Sequence, residues 1–392
     1  MAKTNSKKNN LIAPLKGLTV IDLTRVLAGP YSTMQLADLG ARVIKVESIN
    51  GDDSRQFGPF YKNISTYFTS LNRGKESIHL NLKEKQDLNI FLKLIKNADI
   101  LVENFRPGTM EKLGLKKRKL FGINPRLIYA SCSGFGQTGK LSTKPAYDLI
   151  VQALGGIMSL TGYENQDPVR VGTSIGDITA GLFTTIGIQS ALIKRNITNK
   201  GCHIDISMLD CQVAILENAV SRYFCDKKVP KKLGSRHPSI APFECFKCKD
   251  NYIAIAAGNN ILFKKLCLAL SNKNLQELSI FKTNDLRLKN VVKLKEMLEK
   301  ILMKKKSEYW VKKISAHGVP VSKLNNIKEI LGHPQILDRN MIVDVKFNKN
   351  TKIKVSGNPI KFSNFKDARY RKPAPSLDQD RKKILNDFKI KE

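Results

Sequence analysis

Along the first third of the chain, short β-rich apolar runs alternate with stretches whose apolar positions recur at helical spacing. The runs fall at 18–23, 41–47, 77–82, 99–103 and 127–131, and helical patterns at 31–39, 84–97 and 110–113 lie between some of them. A loop through Ala28, Gly29 and Pro30 separates the first run from its helix. Strands interleaved with helices predict an α/β fold with a doubly wound, Rossmann-like parallel sheet. Residues 178–194 then form a helical stretch that is apolar nearly all round, which predicts burial inside the protein or at a subunit interface. A further strand at 201–208 runs into another helix.

From about Tyr223 the pattern changes, and the basic run 227–232 marks a boundary. Residues 242–257 read as an antiparallel hairpin turning at Lys249-Asp250-Asn251, with helices at 261–270 and 291–304. The expected organisation is a disordered tail at 1–10, a large domain over 11–222 and a smaller α+β domain over 223–325. The remainder, 326–392, returns to the large domain, with late strands or arms at 351–355 and 359–362 and an extended C-terminal strap from Pro373.

In a parallel sheet, ligands collect beyond the carboxyl ends of the strands. The residues there are Leu27 and Ala28, Ser48, Lys83, and Asn104-Phe105-Arg106. Arg106, Lys83 and nearby Lys112 can meet phosphates, and Phe105 and Leu82 can face a purine ring. Each basic loop residue is equally at home as a solvated surface group. Asp177 stands apart, because it lies in the small, apolar stretch Val171-Gly172-Thr173-Ser174-Ile175-Gly176-Asp177 at the mouth of a hydrophobic helix. An ionised carboxylate there loses hydration at a cost of several kcal/mol or so unless it finds a partner. It reads either as the helix N-cap or as a nucleophile approached closely over Gly176.

Two formal motifs are set aside. Gly134-Phe135-Gly136-Gln137-Thr138-Gly139 matches a dinucleotide fingerprint, but it follows the fifth strand and continues into the turn-like Lys140-Leu141-Ser142-Thr143-Lys144-Pro145 instead of a helix. Cys245-Phe246-Lys247-Cys248 has a metal-like spacing without a second ligand pair, so no metal is expected.

Composition adds less. The net charge of +33 favours anionic partners. The lysines are scattered through helical patterns, as at Lys83, Lys85, Lys93 and Lys96, which suits a solvated surface better than a nucleic-acid stripe. The start of the chain lacks the apolar run of a secretory signal, no stretch of about eighteen apolar residues runs unbroken, and the seven cysteines are an odd number. These features point to a cytoplasmic protein that binds neither membrane nor nucleic acid.

Several segments occur in an order that resembles the class III coenzyme A transferases, the family of formyl-CoA transferase, carnitine-CoA transferase and the α-methylacyl-CoA racemases. They include Leu15-Lys16-Gly17-Leu18-Thr19-Val20-Ile21-Asp22-Leu23, Ala28-Gly29-Pro30, Leu36-Ala37-Asp38-Leu39-Gly40-Ala41 and Asn72-Arg73-Gly74-Lys75. Val102-Glu103-Asn104-Phe105-Arg106-Pro107-Gly108, Asn124-Pro125-Arg126, Ser133-Gly134-Phe135-Gly136, Ala146-Tyr147-Asp148 and Gly176-Asp177 continue the series. The resemblance implies an interlocked homodimer of ring-like subunits and makes Asp177 the catalytic carboxylate. It implies a coenzyme A site at Leu27, Ala28, Ser48, Leu80, Asn81, Leu82, Lys83, Asn104, Phe105, Arg106, Lys112, Ala146 and Tyr147. No cofactor is held permanently, because the coenzyme A thioester is itself a substrate.

The implied reaction moves coenzyme A between carboxylic acids through an aspartyl anhydride and an aspartyl-CoA thioester on Asp177, with backbone amides near Gly176 as oxyanion donors. The racemases carry a histidine where this chain has Tyr147, and a tyrosine near its usual pKa of about 10 is a poor base for an α-proton. Oxalate-specific members carry a glycine run where this chain has Ala256-Ala257-Gly258-Asn259-Asn260. The loops at 166–170, 237–242, 258–260 and 281–284 look most like the succinyl-CoA:glutarate branch, which implies succinyl-CoA as donor and a dicarboxylate such as glutarate as acceptor. Gly258, Asn259, Asn260 and Arg170 are then the acid-binding candidates. A formyl-CoA or carnitine-type transferase, a racemase, a nicotinamide oxidoreductase and a basic nucleic-acid-binding protein are the alternatives.

Overall fold

Residues 12–365 and 367–391 are described in the computed structural model, so the tail expected at 1–10 lies outside them. They fall into two compact units, one within 12–158, 170–227 and 334–391 and one of 159–169 and 228–333.

The first unit is built on six parallel strands: β1 (Thr19–Asp22), β2 (Arg42–Glu47), β3 (Glu76–His79), β4 (Ile100–Glu103), β5 (Ile128–Ser133) and β6 (Cys202–Ser207). Their order across the sheet is β3-β2-β1-β4-β5-β6. Alternate side chains of the four central strands, β1, β2, β4 and β5, feed two cores. Ile21, Ile44, Leu101 and Tyr129 enter one with Ile90, Phe91, Leu94 and Ile95, while Val20, Val43, Ile100 and Ile128 enter the other with Leu36, Ile188 and Leu192. Burial on both faces is why these strands read as nearly unbroken apolar runs.

The covering helices are α1 (Ala28–Asp38), α2 (Thr66–Asn72), α3 (Lys85–Lys96), α4 (Asp148–Leu154), α5 (Ile175–Thr198) and α6 (Met208–Ala214). Helix α1 begins at Ala28, so Ala28, Gly29 and Pro30 form its first turn and not the expected loop. Proline is tolerated there because the first-turn amides have no helical acceptor.

Beneath the carboxyl ends of β1 and β2 lies a buried network of charges. Lys75 Nζ donates to Asp22 Oδ2 at 3.0 Å, Thr33 Oγ1 at 2.8 Å and Asn72 Oδ1 at 2.8 Å. Lys45 Nζ meets Asp52 Oδ2 at 2.8 Å and donates to the Thr24 carbonyl at 2.7 Å. Burial pulls the Lys75 ammonium down to about 8.

The second unit holds an antiparallel sheet of β7 (Phe243–Lys247), β8 (Tyr252–Ala256) and β9 (Val321–Lys323), with β8 in the middle. Its main helices are α7 (Asn260–Ala269), α8 (Asn284–Lys289), α9 (Val291–Leu302) and α10 (Ser307–Ala316). Phe246, Ile253, Ile255, Leu266, Leu298, Trp310 and Ile314 share its core.

Back in the first unit, β10 (Ile342–Asn348) pairs antiparallel with β11 (Thr351–Ser356) and parallel with β12 (Tyr370–Arg371). Residues 359–362 make no ladder beyond an isolated bridge between Phe362 and Phe365, and β10 is a strand that the sequence pattern does not predict. The C-terminal strap is not extended throughout, because Arg381–Asp387 forms helix α11, and Ile384, Leu385 and Ile390 join the core around Leu94 and Ile95. Those apolar contacts fold a segment whose sequence is mostly charged.

Candidate active site

The strand order reverses direction between β1 and β4, and the crevice at such a switch point is where an open α/β sheet binds ligands. The loop after β1 is held there by side chains of other segments. Asn104 Oδ1 accepts the Arg25 N–H at 2.8 Å, and its Nδ2 donates to the Arg25 carbonyl at 2.9 Å. Asp52 Oδ1 accepts the Val26 N–H at 3.1 Å. Between these clasps Val26 adopts φ 66°, a left-handed conformation that costs a β-branched residue about 1–3 kcal/mol. Nothing in the sequence signals this strain, and Asn104 spends its amide on the backbone.

The loop enters α1 so that the Ala28 N–H donates to the carboxylate of Asp177. Asp177 is the third residue of α5, and the N-cap position belongs to Ser174, whose side chain caps nothing. The helix-cap reading of Asp177 is therefore corrected. Burial, and next the negative charge of Asp148, push its carboxyl up to about 7, against the lowering effect of the Ala28 amide. That balance also overrides the helix N-terminus, which on its own favours the anion.

Asp148 is the residue the sequence reading passed over. Its Oδ1 accepts the Gly176 N–H at 2.8 Å, its Oδ2 accepts from Gln152 Nε2 at 2.7 Å, and Arg170 Nη1 stands 4.0 Å away. The approach explains the glycine, since a Cβ at position 176 would come within 2.7 Å of Val151 Cγ2. It also takes the Gly176 N–H out of the backbone amides expected near there as oxyanion donors, because Asp148 already holds it. Tyr67 is a second omission. Burial and then the charge of Asp177 raise its hydroxyl above the ordinary tyrosine range.

Asp177 lines a cavity of about 500 Å³. Leu27, Ala28, Asn104, Phe105, Arg106, Ala146 and Tyr147 line the same cavity, together with Arg25, Lys144 and Ser133. A neighbouring cavity of about 400 Å³ takes Ser48, Leu80, Asn81, Leu82 and Lys83, with apolar walls from Val46, Ile49 and Leu113. Arg25, Phe105 and Leu113 line both cavities. The two together offer a carboxylate at one place, cations along the way and an apolar slot suited to a flat ring.

Lys112 lines neither cavity and is exposed at the end of a short helix. Gly258, Asn259 and Asn260 belong to the second unit. There Asn259 Oδ1 caps α7 by accepting the Leu262 N–H at 2.9 Å, and Asn260 Oδ1 accepts from the buried Arg287 Nη2 at 2.9 Å. Both asparagine side chains thus serve their own fold. The Gly134–Gly139 loop opens no helix, since the next begins at Asp148, and it is pinned by Asp205, whose carboxylate accepts the Gln137 N–H at 3.0 Å. Among the described residues no cluster of three or more histidine, cysteine or acidic side chains could hold a metal ion, and no helix is long and apolar enough to cross a membrane. All seven cysteines are free.

A family model described as CoA-transferase family III matches residues 15–381. An acetyl-CoA:oxalate CoA-transferase of Acetobacter aceti is 46% identical over 377 residues, covering 96% of each chain. A human succinyl-CoA:glutarate CoA-transferase is 39% identical over 387 residues, covering 98% of this chain and 88% of that one. Among solved structures, a CAIB/BAIF family protein from Brucella suis superposes with a TM-score of 0.85 at 36% identity, covering 96% of this chain and 99% of that one.

Proposed function

The chain belongs to CoA-transferase family III, and on that premise we propose that it moves coenzyme A from succinyl-CoA to a short dicarboxylic acid such as glutarate, using Asp177 as the covalent carrier. The observation that carries this reading is a carboxyl held near pH 7 by burial and Asp148, in the wall of a cavity that strand-end residues line. Nothing in that pocket pairs Asp177 with a cation at salt-bridge distance among the described contacts, so its anion is available to attack.

The Asp177 carboxylate attacks the thioester carbonyl, and the tetrahedral adduct expels the coenzyme A thiolate to leave a mixed anhydride. The thiolate attacks the aspartyl carbonyl, forming an aspartyl-CoA thioester and releasing the donor acid. The acceptor carboxylate then attacks that thioester, giving a second anhydride and the thiolate again. Attack of the thiolate on the acceptor's carbonyl forms the new acyl-CoA and frees Asp177. In this reading the slot at Ser48 and Leu80–Lys83 takes the adenine end of coenzyme A. Arg25, Arg106 and Lys83 face its phosphates, Tyr147 contacts the bound thioester, and Arg170 beside Asp148 attracts the distal carboxylate of the acid.

Acetyl-CoA as donor with oxalate as acceptor is the second reading, supported by the 46% identity to a transferase named for that pair. The side chains of Leu182, Phe183, Ile186, Ile193 and Ile197 are exposed along α5, which supports a homodimer contact at that helix. The protein would work in the cytoplasm.

The test uses wild-type protein and a panel of labelled dicarboxylates with succinyl-CoA and acetyl-CoA, followed by hydroxylamine quenching and mass spectrometry. Transfer to a dicarboxylate with a hydroxamate on the Asp177 peptide is the expected result. Transfer without modification of that peptide would refute the covalent route.

A further inference from the structure

Ser133 ends β5 and lines the Asp177 cavity, yet its hydroxyl has no hydrogen-bond partner although the residue is only 6% exposed. Its neighbours at this end of the sheet are all engaged. Ser131 Oγ pairs with His203 Nε2 at 2.9 Å, and Ser207, which sits beside Ser133 in register, accepts the Asp210 N–H at 3.1 Å and donates to Asp210 Oδ1 at 3.0 Å. A buried hydroxyl left without a partner destabilises the fold. The backbone beyond it is fixed, because the Gly134 carbonyl accepts the Leu209 N–H at 3.1 Å and a Cβ on Gly134 would come within 2.4 Å of the Ala146 Cβ. The chain therefore holds Ser133 against the cavity and leaves its one strong donor free.

We propose that Ser133 Oγ donates a hydrogen bond to the carbonyl oxygen of the thioester that Asp177 attacks, and so stabilises the oxyanion of the tetrahedral adduct. This rests on the reading of Asp177 as the acyl acceptor. The chemistry asks for such a donor, because charge builds on that oxygen as the carboxylate adds and returns to the leaving thiolate as the carbon–sulfur bond breaks. The Gly176 N–H, which would have been the obvious source, is bound to Asp148. A hydroxyl with no partner in the protein can give its hydrogen bond to substrate without first breaking another.

The test compares Ser133→Ala and Ser133→Thr with the wild-type enzyme on the best acyl-CoA and acid pair. Ser133→Ala lowers kcat by about 10- to 100-fold with less than about a threefold change in the acyl-CoA KM, since a lost oxyanion donor acts on the transition state. Its thermal unfolding midpoint stays at or above that of wild type, because no protein hydrogen bond is removed. Ser133→Thr, which keeps the hydroxyl, recovers most of the rate. In single turnover, hydroxylamine-trapped adduct forms on Asp177 more slowly in the alanine variant by the same factor.

An unchanged kcat, or a loss confined to KM, overturns the proposal while the Asp177 adduct still forms at the wild-type rate. A lowered unfolding midpoint with no kinetic defect in the folded fraction assigns Ser133 a packing role and also overturns it. Absence of any Asp177 adduct in wild type overturns the covalent reading itself, and this proposal with it.

Discussion

Replacing Asp177 with asparagine should stabilise the folded protein, and by an amount that grows with pH. The carboxyl is raised from 3.8 to about 7 by burial and by Asp148. At about 1.36 kcal/mol per pKa unit this is at most about 4 kcal/mol of folding free energy lost once Asp177 is ionised. Because the folded pKa is above the unfolded one, the acid's stability contribution is complete below about pH 4 and disappears as pH rises through about 7. The asparagine side chain would keep the shape and an acceptor for the Ala28 amide but could never ionise, so Asp177→Asn should match wild type near pH 4 and exceed it by about 1–4 kcal/mol at pH 8. Urea unfolding followed by far-ultraviolet circular dichroism at several pH values measures the difference. An ordinary helix cap would give no such gain at high pH, since asparagine caps about as well as aspartate. A variant no more stable than wild type at pH 8 would refute the argument that Asp177 is a charge held at a cost.

Asp148→Asn removes the second cause of the raised pKa while keeping an acceptor for Gly176, so the pH profile of kcat/KM for acyl-CoA, which should rise with a midpoint near 7, shifts to lower pH; an unmoved midpoint would show that Asp148 does not tune the nucleophile. Lys75→Met leaves Asp22 buried without its closest cation and should cost about 3–5 kcal/mol in urea unfolding, with a smaller loss when Asp22→Asn is added. Ile384→Ala tests whether α11 is part of the core, with an expected loss of about 2–5 kcal/mol; a loss under about 0.5 kcal/mol would mean that the helix is not docked.

The sheet was legible because both of its faces are covered, which leaves runs such as Leu18–Leu23 and Leu127–Ser131 with little polar interruption. Where apolar residues serve a cavity instead, the reading overran. Leu80 and Leu82 extend the third run past its last paired residue, His79; Leu80 adds one backbone bond to the Glu47 carbonyl, and both side chains line a cavity. The strand-end rule found Leu27, Ala28, Asn104, Phe105 and Arg106 beside Asp177, since it depends only on topology. It could not find Asp148, whose partner Gly176 lies 28 residues away, nor the strain at Val26, which comes from Asp52 and Asn104 in distant loops. Asn259 and Asn260 looked like ligand groups because a polar side chain at a loop reads the same whether it meets a substrate or caps a helix.

The contrast between Asp52 and Asp177 explains why only one of them is suited to carry an acyl group. Burial pushes both carboxyls up, but at Asp52 the ammonium of Lys45 and the bonds from Ser54 outweigh it and hold the acid well below its ordinary range. A carboxylate so stabilised has little to gain from reacting. Asp177 has one backbone amide and a neighbouring negative charge, so its anion is the less favoured state of the folded site. Acylation replaces that anion with an uncharged anhydride and sends the negative charge out on the coenzyme A thiolate. The burial that makes Asp177 costly to ionise is then recovered in the covalent intermediate, and the same term that lowers stability above pH 7 favours the first chemical step.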